Sequence, residues 1–576
     1  MSANLFRAWY WVIILISTLS LKAQAEFSVV WTNTFISNTG LPDNQVVDAI
    51  LDREGSLYIT GGVGSNTVKY TKEGELAWVK PLAGANLALM PDGDLIVLGE
   101  DATRLHPDGS MVWQRAKPFG SNVVGRLSRV DSNGMLTVLV NRGFWVFRLS
   151  SDGRVEWDVN VQEGLEGAAL AMALGPSGEV AVTGLTLLDE GSSRTLTVHI
   201  NSEGKLSWAR TYEGGSNSGG RSVVFNSAGN VLVGGTQDRI QPGDQRTIAR
   251  TIILDYNSVG AERLLATFRS ALDPRRLGSE GAVSISAAPD GALYLVASAS
   301  SGERNTALIK FDPDGRRIWS KFLSGAITQP PLIRPDGSLL LTTHPGISVV
   351  SSNGSLEFFY SITATAAGNA IPVQRLFVAG DDLYFASTLQ FEIEAGVNGR
   401  AYFAGRLKNA PIHNLPKILS SLKDQISELG SDVILHVEAK EEEPSGTGLF
   451  YQWRFEGSTL DGATNSTLRV GHLGAESSGW YSVLVTNTRG SVESSDSLIA
   501  ATIKLQPAAS GETGKSVFSF RAQSNYVYGI EISTNLTTWR EFKTLVATDS
   551  VVQVFDPEPT GSGGRFFRVL PEFRQP

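Results

Sequence analysis

The sequence predicts an all-β protein built from several modules. Three observations carry this prediction. A glycine-punctuated unit recurs eight times in the first two thirds of the chain, a strict apolar–polar alternation begins near Val433, and 60 glycines accompany a hydrophobic content of 42% and a charged content of 19%. That composition suits a folded, turn-rich chain rather than a disordered one. At 576 residues the chain exceeds what one hydrophobic core supports, so several domains are expected.

The first element is an export segment. Arg7 precedes an apolar run from Ala8 to Leu21, and Ala23-Gln24-Ala25 follows as a small-residue cleavage site, the three-part pattern of a secretory signal. Residues 1–25 are therefore read as a signal peptide, leaving Glu26 as the first mature residue. The apolar run is shorter than the roughly 20 residues that cross a bilayer, and no membrane span is expected in the mature chain. The net charge of −9 argues against nucleic acid, whose phosphates call for a basic surface. The absence of cysteine removes thiol catalysis, thiolate metal sites and disulfides.

The second element, residues 26–410, is the repeat. Each unit reads as two apolar residues, a turn ending in Gly, a β-branched run, a variable loop, another strand, a second Gly turn and a Trp-bearing strand. Clear copies run from Ala49 to Lys80, closing on Trp78, and from Ala88 to Arg115, closing on Trp113. Others pair Asn133-Gly134 with Trp157, Ser177-Gly178 with Trp208, Ala228-Gly229 with Leu264 in the Trp place, Asp290-Gly291 with Trp319 and Asp336-Gly337 with Phe358. The last copy, around Asp381-Asp382, lacks its Trp strand, and Phe27 to Phe35, centred on Trp31, is expected to supply it. Four-strand units closed in this way make a β-propeller of seven or eight blades with no free sheet edge. Gly74, Gly109, Gly153, Gly204, Gly260, Gly315 and Gly354 are expected to turn the second hairpins with positive φ. The recurrent Trp is expected to pack between blades rather than to serve as a platform for a cofactor or sugar.

Stretches such as Ser177-Gly178-Glu179-Val180-Ala181-Val182-Thr183-Gly184 followed by Ile200-Asn201-Ser202-Glu203-Gly204-Lys205-Leu206-Ser207-Trp208 resemble the seven-bladed β-propeller repeat family of secreted bacterial proteins. The resemblance spans about residues 26–410 and implies a fold but no chemistry. A more distant likeness to quinoprotein propellers rests on Trp113 and Trp157; with no Cys pair and no acidic cluster for calcium, it implies no cofactor here.

After Pro411 and Pro416, read as a stiff connector, the third element occupies residues 411–505. Val433, Leu435 and Val437 alternate inward, Tyr451-Gln452-Trp453 follows, and Ser477-Ser478-Gly479-Trp480-Tyr481-Ser482-Val483 comes about thirty residues later. This pattern resembles an immunoglobulin-like sandwich. The resemblance implies that Trp453 is the core Trp, that Val437 and Val483 replace the bridging cysteines, that Tyr481 is the tyrosine corner, and that the module acts as a spacer. The fourth element, residues 506–576, resembles a small C-terminal β module of large exported bacterial proteins, through Tyr528-Gly529-Ile530-Glu531-Ile532, Trp539 and Arg565-Phe566-Phe567-Arg568. Trp539 and Phe566 are expected in its core.

Motifs that carry chemistry are sparse. The six histidines, His106, His199, His344, His413, His436 and His472, are scattered singly, which argues against a histidine metal site. Asp312-Pro313-Asp314-Gly315 begins like a calcium loop but reads as a turn. The variable loops between second and third strands share one face of the propeller. The long ones place Asp189, Glu190 and Arg194, then Arg239, Asp244 and Arg246, then Glu303, Arg304 and Asn305 on that face, where mixed charge suits a glycan or protein partner. The expectation is an exported, non-enzymatic binding, adhesion or scaffold protein, secreted or cell-surface with the periplasm as an alternative, without cofactor or metal. The alternative is a carbohydrate-active or quinoprotein-like enzyme using the propeller channel, since paired carboxylates from separate strands leave no local motif.

Overall fold

The computed structural model describes residues 27–574 apart from 37–44, 63, 162–166, 189–191, 215–216, 241–246, 269–282, 299–305, 326, 328, 344–345, 362, 365–368, 371–372, 395–396, 410–414, 442–447, 475, 503–504, 508–514, 523–525, 534–539, 550 and 560–565. The export segment and Trp539 lie outside the described residues.

The turns dictate the unit. In several hairpins an Asp or Asn three residues before Gly folds its carboxylate or amide oxygen back onto the backbone: Asp52 Oδ1 accepts from the amides of Glu54 at 3.0 Å and Ser56 at 2.7 Å, and Asn226 does the same for Ala228 and Asn230. The turn is then held by its own side chain, and the following Gly takes the left-handed conformation: φ is 89° at Gly55 and 84° at Gly354. Asp312-Pro313-Asp314-Gly315 is one of these turns, with Asp312 Oδ1 accepting from Asp314 and Arg316.

Among the described residues eight antiparallel blades of four strands result, seven as separate sheets and one, blade 7, as part of a larger sheet. Blade 1 runs Val46–Leu51, Leu57–Gly61, Thr67–Tyr70, Leu76–Lys80, and blade 2 Asn86–Leu89, Leu95–Leu98, Ala102–Leu105, Met111–Arg115. Blades 3 and 4 begin at Gly125–Val130 and Gly167–Leu174, blades 5 and 6 at Asn217–Phe225 and Val283–Ala287, and blade 7 at Leu332–Ile333. Blade 8 is composite: Arg375–Ala379, Asp382–Glu394 and Val397–Asn409 are completed by Phe27–Phe35, with Thr32 opposite Gly405 and Phe35 opposite Tyr402. The N-terminal strand thus supplies the missing piece of the last unit, as its sequence predicts. The count is eight, one more than the seven-bladed family resemblance implies.

Buried clusters join each blade to the next. Leu340, Ile347 and Val349 of blade 7 pack on Leu376, Phe385 and Phe403 of blade 8, while Tyr402 and Ala404 of blade 8 pack on Leu57, Val68 and Tyr70 of blade 1. The chain of sheets therefore closes into a ring, and the strand edge left open by a linear array is absent.

The outer Trp residues stitch this ring. Trp31 donates its indole N–H to the carbonyl of Lys72 at 2.9 Å, Trp78 to Pro107 at 3.1 Å, Trp113 to Ser151 at 3.0 Å and Trp319 to Ser352 at 3.0 Å. In each case the acceptor lies two residues before the turn glycine of the next blade, and the ring covers that glycine: a Cβ on Gly74 would lie 2.4 Å from Trp31 and one on Gly354 2.6 Å from Trp319. Trp157 and Trp208 cover Gly204 and Gly260 in the same way. Blade 5 departs from the sequence expectation. A bulge shifts its last strand by one residue, so Leu265 covers Gly315 while Leu264 is exposed. The Phe358 side chain lies outside the described residues.

Residues 417–502 fold as two small layers around Trp453, which is fully buried among Val437, Val483, Leu435 and Ile499. They do not stand apart from the propeller. Gly490–Glu493 pairs with Leu356–Ser361, the outer strand of blade 7, so one sheet runs through both, and Asp496 bridges Ser320 of blade 6. The expected spacer is a buttress on blades 6 and 7. Beyond it, Phe518, Phe520, Tyr528, Ile530 and Val569 form a separate core. Phe567 packs against it, whereas Phe566, expected inside, is 39% exposed, because neighbouring strand residues face opposite sides.

Candidate functional site

Two surfaces follow from this topology: the face where second and third strands connect, and the central channel lined by the innermost strands. The middle hairpins differ in height. Those of blades 1 and 2 use strands of 4 to 5 residues, whereas blade 5 uses 10 and blade 8 uses 13. At about 3.3 Å per residue the blade 8 hairpin stands roughly 25 Å taller than that of blade 1. The face is therefore raised at blade 5 and at blade 8, with the shorter hairpins of blades 6 and 7 between them.

Of the loop residues singled out in the sequence, Asp189, Glu190, Asp244, Arg246, Glu303 and Arg304, with Asn305, lie outside the described residues. Arg239 occupies the upper end of the second strand of blade 5, opposite Ile248. Arg194 lies in the third strand of blade 4 and is largely withdrawn from solvent: its Nε is 3.8 Å from a Glu213 carboxylate oxygen, and Nη1 donates to the carbonyl of Ser193 at 3.3 Å. Next to it, Ser193 N donates to Asn217 Oδ1 at 2.9 Å and Thr195 N to Ser218 Oγ at 2.9 Å. The structure thus places Arg194 at the seam between blades 4 and 5.

The channel holds polar groups that the sequence reading passed over. Asp48, on the innermost strand of blade 1, accepts from Arg375 Nε of blade 8 at 3.1 Å through Oδ1, and from Asn86 Nδ2 at 2.8 Å and Leu87 N at 2.9 Å of blade 2 through Oδ2. Ser128 of blade 3 hydrogen-bonds Asn86 Oδ1. A line from Arg375 through Asp48 and Asn86 to Ser128 therefore ties four innermost strands together. Arg375 also donates to the carbonyl of Val47 at 3.0 Å, Arg126 of blade 3 to that of Ala169 in blade 4 at 3.0 Å, and Ile285 N of blade 6 to Ser222 Oγ of blade 5 at 3.1 Å. A signal was available in the sequence: Gly125–Val130 carries two arginines where corresponding strands are mostly apolar.

Asp48 accepts hydrogen bonds from three donors, one of them a guanidinium. Among the described residues, no group of three or more His, Cys, Asp or Glu side chains is placed to hold a metal ion. His199 lies flat on Trp208, ring centroids 5.3 Å apart, and burial holds its pKa below the ordinary value, so it is neutral packing near pH 7. Tyr481 is pushed up to about 12 by burial, reinforced by the nearby Glu456, and stays a hydroxyl.

No family model and no curated protein matches the chain. Among solved structures, a virginiamycin B lyase from Staphylococcus aureus is 11% identical, with 66% of this chain and 99% of that one covered at a TM-score of 0.37. YCF48 bound to D1 peptide is 10% identical, with 69% and 100% covered at 0.34. A polysaccharide lyase, an ulvan lyase with bound sugar, is 7% identical, with 57% and 96% covered at 0.36. At such scores these likenesses assign no function to the chain, whose propeller is read from its own strand order and register.

Proposed function

We propose that the chain is an exported, non-catalytic binding protein that presents the loop face and channel of its propeller to a glycan or protein partner at the cell surface. The observation that carries this reading is the state of Asp48: the one carboxylate on the described innermost strands is locked by Arg375, Asn86 and Leu87, whereas glycoside hydrolysis calls for two carboxyl groups flanking the scissile bond. Residues 411–505 are read as an immunoglobulin-like sandwich. Two contacts support this: Tyr481 donates its hydroxyl to the carbonyl of Ser477 at 2.8 Å, the tyrosine-corner contact, and Val437 and Val483 pack on Trp453. Residues 506–576 are read as a C-terminal β module.

The test is a glycan and surface-protein array probed with the intact chain lacking residues 1–25, followed by mass analysis of each bound ligand after prolonged incubation. Saturable binding with the ligand recovered unchanged supports the reading. Cleavage, elimination or oxidation of a ligand overturns it.

A further inference from the structure

The innermost strands invert the charge of the molecule. The chain as a whole has 49 Lys and Arg against 58 Asp and Glu, yet the eight innermost strands carry Arg126, Arg129, Arg221 and Arg375 against Asp48 alone. Arg375 and Asp48 pair with each other. The other three guanidinium groups have no carboxylate within ion-pair distance among the described residues. Arg126 donates to a backbone carbonyl of blade 4, and Arg129 to the carbonyl of its own neighbour Ser128 at 2.7 Å.

Their placement is regular. Each of several innermost strands carries a bulge, and Arg126 and Arg221 are the bulged residues of blades 3 and 5, at the level taken by Val47 in blade 1 and Leu170 in blade 4. Bulges re-aim a side chain out of the sheet, and both arginines are exposed on strands whose neighbours are other blades. Arg129 sits three residues further along, roughly 10 Å deeper. It is open to water yet surrounded by protein, as a side chain standing in a channel is. Burial there lowers its pKa, and Asp48, which does not touch it, opposes that shift. A guanidinium offers five donors in a planar fork matched to oxyanions, so three such forks with no carboxylate partner among the described residues suit an anion.

We propose that the propeller channel binds a ligand bearing oxyanion groups, sulfate, carboxylate or phosphate, through Arg126, Arg129 and Arg221, with Asp48 and Arg375 as fixed wall. This rests on the binding-protein reading and names the chemistry of its ligand.

The experiment is calorimetric titration of the intact chain lacking residues 1–25 with four probes: dextran sulfate oligomers, oligogalacturonate, inorganic phosphate and neutral dextran. Each is run at low and moderate salt against Arg126→Gln, Arg129→Gln, Arg221→Gln and Asp48→Asn, and against Arg154→Gln. Arg154 lies on an exposed turn at the opposite end of blade 3. At least one charged probe is expected to bind while neutral dextran does not, and which one binds names the oxyanion. Each channel Arg→Gln is expected to weaken it on the order of tenfold, Asp48→Asn to tighten it, and Arg154→Gln to leave it unchanged. Circular dichroism separates lost binding from lost fold. Failure of all three charged probes, binding untouched by the channel substitutions, or an equal loss in Arg154→Gln overturns the proposal. If an array partner nevertheless binds, the broader reading stands without it.

Discussion

Lys321 Nζ, with no exposed side-chain surface, lies 3.1 Å from Glu493 Oε1. The lysine belongs to the outer strand of blade 6 and the glutamate to the buttressing module, and the same ammonium lies 3.5 Å from Asp496 Oδ2 and donates to the carbonyl of Ser494 at 2.8 Å. Arg454 Nη1 completes a balanced set of two cations and two anions, 3.1 Å from Glu493 Oε2. Arg317 pairs with Asp424 and covers the Trp480 ring at 4.7 Å, and Phe322 meets Trp480 edge-on at 4.9 Å. The propeller and the module are therefore one packed unit at this junction, and a propeller cut from the chain would expose buried charge.

Removing the lysine alone takes one cation from beside two buried carboxylates and leaves Glu493 with Arg454. Lys321→Met is expected to destabilise the chain by ~3–5 kcal/mol, and the combined Lys321→Met, Glu493→Gln and Asp496→Asn chain to recover most of that. Urea denaturation checks both; equal stability of the single variant and the native chain would show that the junction does not form.

The Trp stitch separates two costs of adding a methyl group. Gly354 and Gly229 have nearly the same φ, 84° and 81°, but a Cβ on Gly354 meets Trp319 while one on Gly229 meets nothing within 4 Å. Gly229→Ala is expected to cost about 1 kcal/mol from backbone strain. Gly354→Ala should cost about 1–3 kcal/mol more from displacing the indole. Thermal unfolding of the pair measures the difference.

Trp31 closes the ring from a half-buried position against Tyr70 and Tyr384, with ring centroids at 6.0 and 6.5 Å. Trp31→Ala is expected to lose ~3 kcal/mol. Deleting residues 27–36 should bare the strand edge of Val397–Asn409 and give concentration-dependent association by light scattering.

Glu357 provides a pH signature. Burial, reinforced by Asp336 and opposed by Arg334 and Lys417, raises its pKa. The folded chain therefore holds this proton more tightly than the unfolded chain, and the destabilisation caused by its ionisation fades as pH falls through the folded pKa toward the unfolded value near 4.3. Glu357→Gln is expected to raise Tm at pH 7 and to leave it unchanged below about pH 4.

The fold was legible where local chemistry decides it. Asp or Asn before Gly specifies a turn by itself, and Trp31 announces the missing strand because the last unit lacks one. Leu264 misled because the bulge that other blades place just before the Trp falls at Leu265 in blade 5, and Leu265 takes the Trp position. Lys321 reads as an ordinary surface lysine on an outer strand, and only docking of a segment some 170 residues away buries it. Arg126 and Arg129 stand out only once their strand is known to be innermost, which the sequence of that strand alone does not say.

The most direct test of the account is hydrogen–deuterium exchange of the intact chain with whichever ligand the array selects. Protection concentrated on the innermost strands, Gly125–Val130 and Asn217–Phe225 above all, and on the middle hairpin loops is the predicted result. Protection confined to residues 417–574, with the propeller unchanged, would contradict it.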